Sequence, residues 1–84
     1  MDVKSTIRQF ITENFYLPDP SALDDNASLI DLGVVDSTGV LEVISFLEST
    51  FELTVKEDET VPENLDSIAR ITAYVERKRL AAAA

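Results

Sequence analysis

Asp36-Ser37-Thr38-Gly39-Val40-Leu41-Glu42-Val43-Ile44-Ser45-Phe46-Leu47-Glu48-Ser49-Thr50-Phe51 is the stretch from which the fold can be read. Val40, Val43, Ile44, Leu47 and Phe51 recur at i, i+3, i+4, i+7 and i+11, which is one face of an α-helix. Thr38, Leu41, Glu42, Ser45, Glu48 and Ser49 fall on the other side. Asp36 is placed to cap the helix, its carboxylate accepting from the free amides of the first turn. Gly39 in that turn costs up to about 1 kcal/mol relative to Ala, which packing must offset.

The same period recurs on either side. Val3, Ile7, Phe10 and Ile11 predict a first helix from about Asp2 to Phe15. Ile68, Ile71 and Val75, with Tyr74 at the margin, predict a last one that starts near Asp66 or Ser67, either a suitable cap, and ends about Arg79. Glu57–Thr60 has room for one short helical turn before Pro62. Pro18 and Pro20 end the first helix and open a long connection, Leu17 to about Val35, with turn signals at Asp19-Pro20-Ser21 and Asp24-Asp25-Asn26. Leu23, Leu29, Ile30 and Leu32 are its expected anchors into the core, and Gly33 the tight turn after Asp31-Leu32. The expectation is an all-α domain over residues 1–79: a small bundle of three main helices plus one short helix, with a long first loop. Residues 80–84, Leu80 and four alanines, are expected to be a frayed tail.

Composition narrows the function. The chain has 84 residues, enough for one small core, and 45% apolar with 27% charged residues is a globular balance. Two Gly and three Pro are too few for a turn-dense β architecture. No apolar run approaches the roughly 18 residues of a membrane span, and Met1-Asp2-Val3-Lys4-Ser5 lacks the shape of a signal peptide, so a cytoplasmic location is expected. Without Cys there is no disulfide, thiolate metal site or thiol nucleophile; without His the commonest general base and metal ligand is missing. This is poor material for a self-sufficient enzyme.

Net charge is -9. Residues 24–66 hold 12 acidic side chains against Lys56 alone, whereas residues 67–84 hold Glu76 against four cations. Such a balance disfavours nucleic acid and points toward basic protein surfaces. The cations, Arg70, Arg77, Lys78 and Arg79, suit the C-terminal end of a helix dipole. Asp24-Asp25-Asn26 lacks the alternating ligands and central Gly of a calcium loop, and Glu57-Asp58-Glu59 reads as a solvated face, so no metal site is expected.

Ser37 opens the second helix behind Gly33-Val34-Val35, which reads as a flexible approach. A negative group on its hydroxyl would face free amides and the positive end of the dipole. Asp36 opposes that charge, but could help hold a divalent ion during phosphoryl transfer. Asp-Ser is equally an ordinary helix start, and spacing alone does not decide between the two.

The wider string, Asp31-Leu32-Gly33-Val34-Val35-Asp36-Ser37-Thr38-Gly39-Val40-Leu41-Glu42, resembles the prosthetic-group attachment site of acyl carrier proteins. Phe46 to Leu53 is similar to the end of that family's second helix, and Asn64 to Val75 to its last. The resemblance implies that Ser37 receives 4'-phosphopantetheine from coenzyme A through a separate phosphopantetheinyl transferase, with Asp36 flanking the attachment. It implies that the arm's thiol carries an acyl or aminoacyl group as a thioester. Partners would be an activating ligase and acyltransferases with basic docking surfaces, meeting Thr38, Leu41, Glu42, Ser45 and Glu48 on a monomeric carrier. Leu41 is either the one apolar residue of that face or partly buried at the helix edge. Thr38-Gly39, where fatty-acid carriers usually have Leu after the Ser, looks more like stand-alone carriers for D-alanine, other amino acids or specialised metabolites. The competing reading is an unmodified acidic module that docks a basic partner.

Overall fold

The computed structural model describes residues 2–15, 17, 19 and 23–83. Four α-helices follow one another: α1 (Val3–Asn14), α2 (Ser37–Phe51), α3 (Pro62–Leu65) and α4 (Ile68–Ala83), with a 3-10 turn at Glu57–Glu59 before α3. No strand occurs among the described residues. This is the helical fold the periodicity predicts. Pro18, Pro20 and Ser21, and with them the expected helix stop and the turn around Asp19, lie outside the described residues, as does Ala84.

Each long helix forms where the apolar stripe runs. α1 is capped by Asp2, which accepts from the Ser5 amide at 3.2 Å, and it buries Ile7 and Ile11. α2 buries Val43, Leu47 and Phe51; Val40 and Ile44 sit half-buried at its edge. α4 contributes Ile68, Ile71 and Val75, and α1, α2 and α3 all pack on it. Of the two candidate caps, Ser67 takes the role, its hydroxyl accepting from the Arg70 amide at 3.0 Å.

Four expectations need correction. Pro62 starts α3 at its first position, where a missing N–H costs nothing, so two short helical elements stand where one was expected. Tyr74 is buried, not marginal. α4 runs to Ala83, past the expected end at Arg79, so residues 80–83 continue the helix; Ala is the strongest helix former. The basic residues therefore lie short of the last turn and work through pairing instead of the dipole. Arg77 donates to Asn64 Oδ1 at 2.8 Å, Lys78 to Glu59 at 2.9 Å, and the Arg79 guanidinium lies 5.8 Å from the Phe51 ring centre.

The fourth correction concerns the long loop. Leu23 and Leu29 are buried as expected, but Ile30 and Leu32 stand 47% and 59% exposed, and Val34 and Val35 take their place in the core. Gly33 turns the chain at φ 71°, a left-handed angle favoured by glycine, and the Leu29 carbonyl then accepts from both the Val34 and Val35 amides. This folds the valines inward and makes the approach to Ser37 a held segment, not a flexible one. The loop is latched to the α3–α4 junction through Asp66. Its carboxylate accepts from the Ser28 hydroxyl at 2.6 Å and the Ile30 amide at 3.0 Å, and its carbonyl from the Leu29 amide at 2.8 Å. At the loop's other end Arg8 donates to Asp25 and to the Leu23 carbonyl, while the Asp25 carbonyl accepts from Ala69.

A second polar knot secures the 3-10 turn. One oxygen of Glu59 accepts from the Lys56 amide (3.0 Å), the Tyr74 hydroxyl (3.1 Å) and the Lys78 ammonium (2.9 Å). The Lys78 bond, followed by the Lys56 amide, pulls the Glu59 carboxyl down from 4.5 to about 2. Burial, with Glu59 next to it, pushes the Tyr74 hydroxyl up to about 12.

Two outcomes follow from these knots. Asp66→Ala removes a charged acceptor of two bonds and should lower stability by about 2 kcal/mol in thermal unfolding, with faster amide exchange at Leu29 and Ile30. Because the Glu59 carboxyl is held low, its contribution is full above pH 4.5 and is lost as pH falls toward about 2. A carboxyl-detected NMR titration should therefore find its midpoint near 2, and Lys78→Met should move that midpoint up toward 4.5.

Candidate functional site

Asp36 and Ser37 open α2 at the exposed end of the latched loop. Asp36 is extended and its carboxylate accepts from the Gly39 amide at 2.7 Å, while its carbonyl accepts from Val40 at 2.9 Å. Two amides of the first turn are thereby satisfied. Those of Ser37 and Thr38 make no hydrogen bond among the described residues, and the Ser37 hydroxyl is exposed with no partner there either. A helix start in this state offers a nucleophilic oxygen beside two free donors and the positive end of a 15-residue helix.

Thr38, Leu41, Glu42 and Ser45 are brought together. With Ser49 and with Phe46 and Phe10 they line an open groove of about 490 Å³ between α2 and α1. Leu41 is 64% exposed, so of its two readings partial burial is excluded. Glu48 is not part of this groove: its carboxylate turns to the chain beyond α2 and accepts from the Val55 amide at 2.9 Å. A helical projection puts Glu48 on the solvent side, but its long side chain reaches a backbone donor that no projection shows.

On the other flank of α2, Ile30, Val40, Val61, Pro62 and Leu65 line a narrower apolar cleft of about 190 Å³, with Thr60 at its rim. At 3.6 residues per turn, Val40 falls to one side of Ser37 and Thr38 and Leu41 to the other. Ser37 therefore stands on the ridge between cleft and groove. Sequence reasoning missed the cleft and the exposed Ile30 and Leu32; the signal available was two large apolar residues set among Asp31 and Asp36 beside a turn glycine.

The donor set suits a phosphate ester: an accessible hydroxyl, two unpaired amides and open space on both sides. Among the described residues no group of three acidic side chains could hold a metal ion, and no helix is long and apolar enough to cross a membrane.

Comparison with known proteins finds a family model, close relatives and a solved structure. Residues 5–75 match the model of the family described as phosphopantetheine attachment site. The chain is 40% identical over 75 residues to a D-alanyl carrier protein of Streptococcus suis, covering 89% of this chain and 92% of the relative. It is 39% identical over 59 residues to a D-alanyl carrier protein of Streptococcus mutans, covering 70% of this chain and 72% of that one. A solved structure of KstB-PCP in its apo form is 40% identical, with a TM-score of 0.70 over 89% of this chain and 84% of that one.

Proposed function

Since the chain belongs to the phosphopantetheine attachment family, and so acts as a carrier of acyl or aminoacyl groups on 4'-phosphopantetheine, we propose that Ser37 bears that arm. The observation that carries the assignment is the unpartnered, exposed hydroxyl at the capped start of α2, beside the free amides of Ser37 and Thr38. In the attachment reaction the bond from Ser37 Oγ to the pantetheine phosphorus forms as the bond from that phosphorus to 3',5'-ADP breaks. The serine proton passes to a base on the transferase, which is a separate protein. When bound, the arm supplies the thiol that holds cargo as a thioester; a chain without Cys or His has no group of its own for that task. The two amides favour the phosphate's charge, and Asp36, by capping, keeps the helix start in register.

The chain is a substrate of its partners and not itself an enzyme. Thr38, Leu41, Glu42 and Ser45 form the face that meets an activating ligase and an acyltransferase, whose basic rims complement a chain of net charge -9. Glu48 adds only charge to this face, because its carboxylate is engaged with Val55. The cargo is a small aminoacyl or short acyl group. This rests on the similarity to proteins named D-alanyl carriers and on the size of the cleft beside Ser37, about 190 Å³. The reading keeps the chain in the cytoplasm, where coenzyme A is available.

The decisive measurement is intact mass after incubation with coenzyme A and a broad-specificity transferase. The chain should gain one phosphopantetheine, and Ser37→Ala should gain none. Loading of the modified protein by adenylating ligases should then succeed with D-alanine or another small amino acid and fail with long-chain fatty acids. A folded chain that stays unmodified would leave the acidic docking module as the function.

A further inference from the structure

We propose that the contact between Phe15 and Gly39 is a positioning device that aims Ser37 at the transferase; the proposal rests on Ser37 being the attachment point.

Gly39 has an ordinary helical backbone, so conformational freedom does not explain it, and glycine is a poor helix residue. Close approach does explain it. A Cβ at this position would lie 2.8 Å from Phe15 Cε1, nearer than side-chain carbons tolerate, and 3.3 Å from the Asp36 carboxylate oxygen. The bare α-carbon thus lets the edge of the Phe15 ring seat against the first turn of α2, two residues beyond Ser37. The same Gly39 donates the amide that Asp36 caps. One position therefore touches both the ring and the cap that define where the helix begins.

On one side the ring is backed by other rings. Phe15 meets Phe10 edge-on at 6.0 Å, and Phe10 stacks on Phe46 at 4.0 Å with the planes 13° apart. Phe46 belongs to α2 itself and meets Phe51 edge-on at 6.1 Å. All four phenylalanines of the chain form one ladder, which leaves α2 at Gly39, crosses α1 and returns to α2. A methyl group added at Gly39 pushes on a ring backed by this ladder and on the Asp36 carboxylate, so part of the movement falls on the first turn of α2 and on the Asp36 cap. That turn carries Ser37 and Thr38, but the other exposed docking residues, Leu41, Glu42 and Ser45, sit beyond it. The device should therefore govern the alignment of the hydroxyl with the reacting phosphorus more than the affinity for the transferase.

Steady-state transferase kinetics on full-length chains test this. Gly39→Ala should lower kcat about ten- to hundredfold with KM within about twofold, the scale expected when a reacting atom is misplaced by around 1 Å. Phe15→Leu in the Gly39→Ala background removes the ring edge and should restore kcat to that of Phe15→Leu alone. Circular dichroism at the assay temperature checks that each variant is folded. An unchanged kcat in Gly39→Ala, a loss confined to KM, or no recovery in the double variant overturns the proposal. Should Gly39→Ala not fold, Phe15→Leu alone decides: a severalfold fall in kcat at constant KM supports the device, and wild-type kcat overturns it. A wild-type chain that accepts no phosphopantetheine overturns the Ser37 assignment as well, whereas a modified wild type with unaffected variants overturns this proposal only.

Discussion

Asp66 joins the two halves of this small domain. Among its described residues the segment between α1 and α2 has no helix of its own, so its backbone donors must find acceptors elsewhere if it is to lie against a core. Apolar anchors such as Leu23, Leu29, Val34 and Val35 favour burial but do not set register, because hydrophobic contact is non-directional. The Asp66 carboxylate and carbonyl supply the direction, taking the Ser28 hydroxyl and the Leu29 and Ile30 amides at the α3–α4 junction. With Leu29 held there, its own carbonyl gathers the Val34 and Val35 amides, and the next residues are Asp36 and Ser37. The location of Ser37 at the start of α2 is thus set by a residue 29 positions away in sequence.

This explains which parts could be read in advance. α2 depends on local facts, an apolar period and a capping Asp, and both its ends fall where they were predicted. The inward and outward sides of the loop depend on a reversal at Gly33 and a latch to Asp66, so Ile30 and Leu32 could not be told from Val34 and Val35 by hydrophobicity. Pro62 reads as a terminator in a linear scan, yet opens α3, because Pro is disfavoured inside a helix and favoured at its first turn. At the site, the exposed hydroxyl and the outward placing of Thr38, Glu42 and Ser45 were legible from the α2 period, whereas the exposure of Leu41 was not. The Phe10 wall of the groove was not, since it depends on how α1 meets α2, and neither was the bond from Val55 that turns Glu48 away.

The cations of the chain are largely used internally. Lys4 and Arg8 are paired with Asp25, Lys78 with Glu59, Arg77 reaches Asn64, and Arg79 lies over Phe51. The Asp31 and Glu42 side chains have no basic partner among the described residues, and Asp36 is met by a backbone amide only. The acidic side chains around the start of α2 therefore keep their negative field, as do most others of the described residues. Charge of this kind attracts a basic partner, the start of α2 included, and the attraction weakens with ionic strength.

Steering alone does not determine how long a complex lasts. Full burial of one large aliphatic side chain is worth about 1.5–3 kcal/mol, and the exposed Leu41 is the one such side chain on the groove face. That increment changes an equilibrium by roughly ten- to a hundredfold, enough to select a matching socket and too little to make a permanent complex. A carrier visits its transferase, ligase and acceptor in turn, so slow release from any one would throttle the rest. A capped helix start with an exposed hydroxyl, acidic side chains and one exposed aliphatic side chain on its groove face suits that requirement: charge favours fast encounter, and a small apolar area keeps release fast.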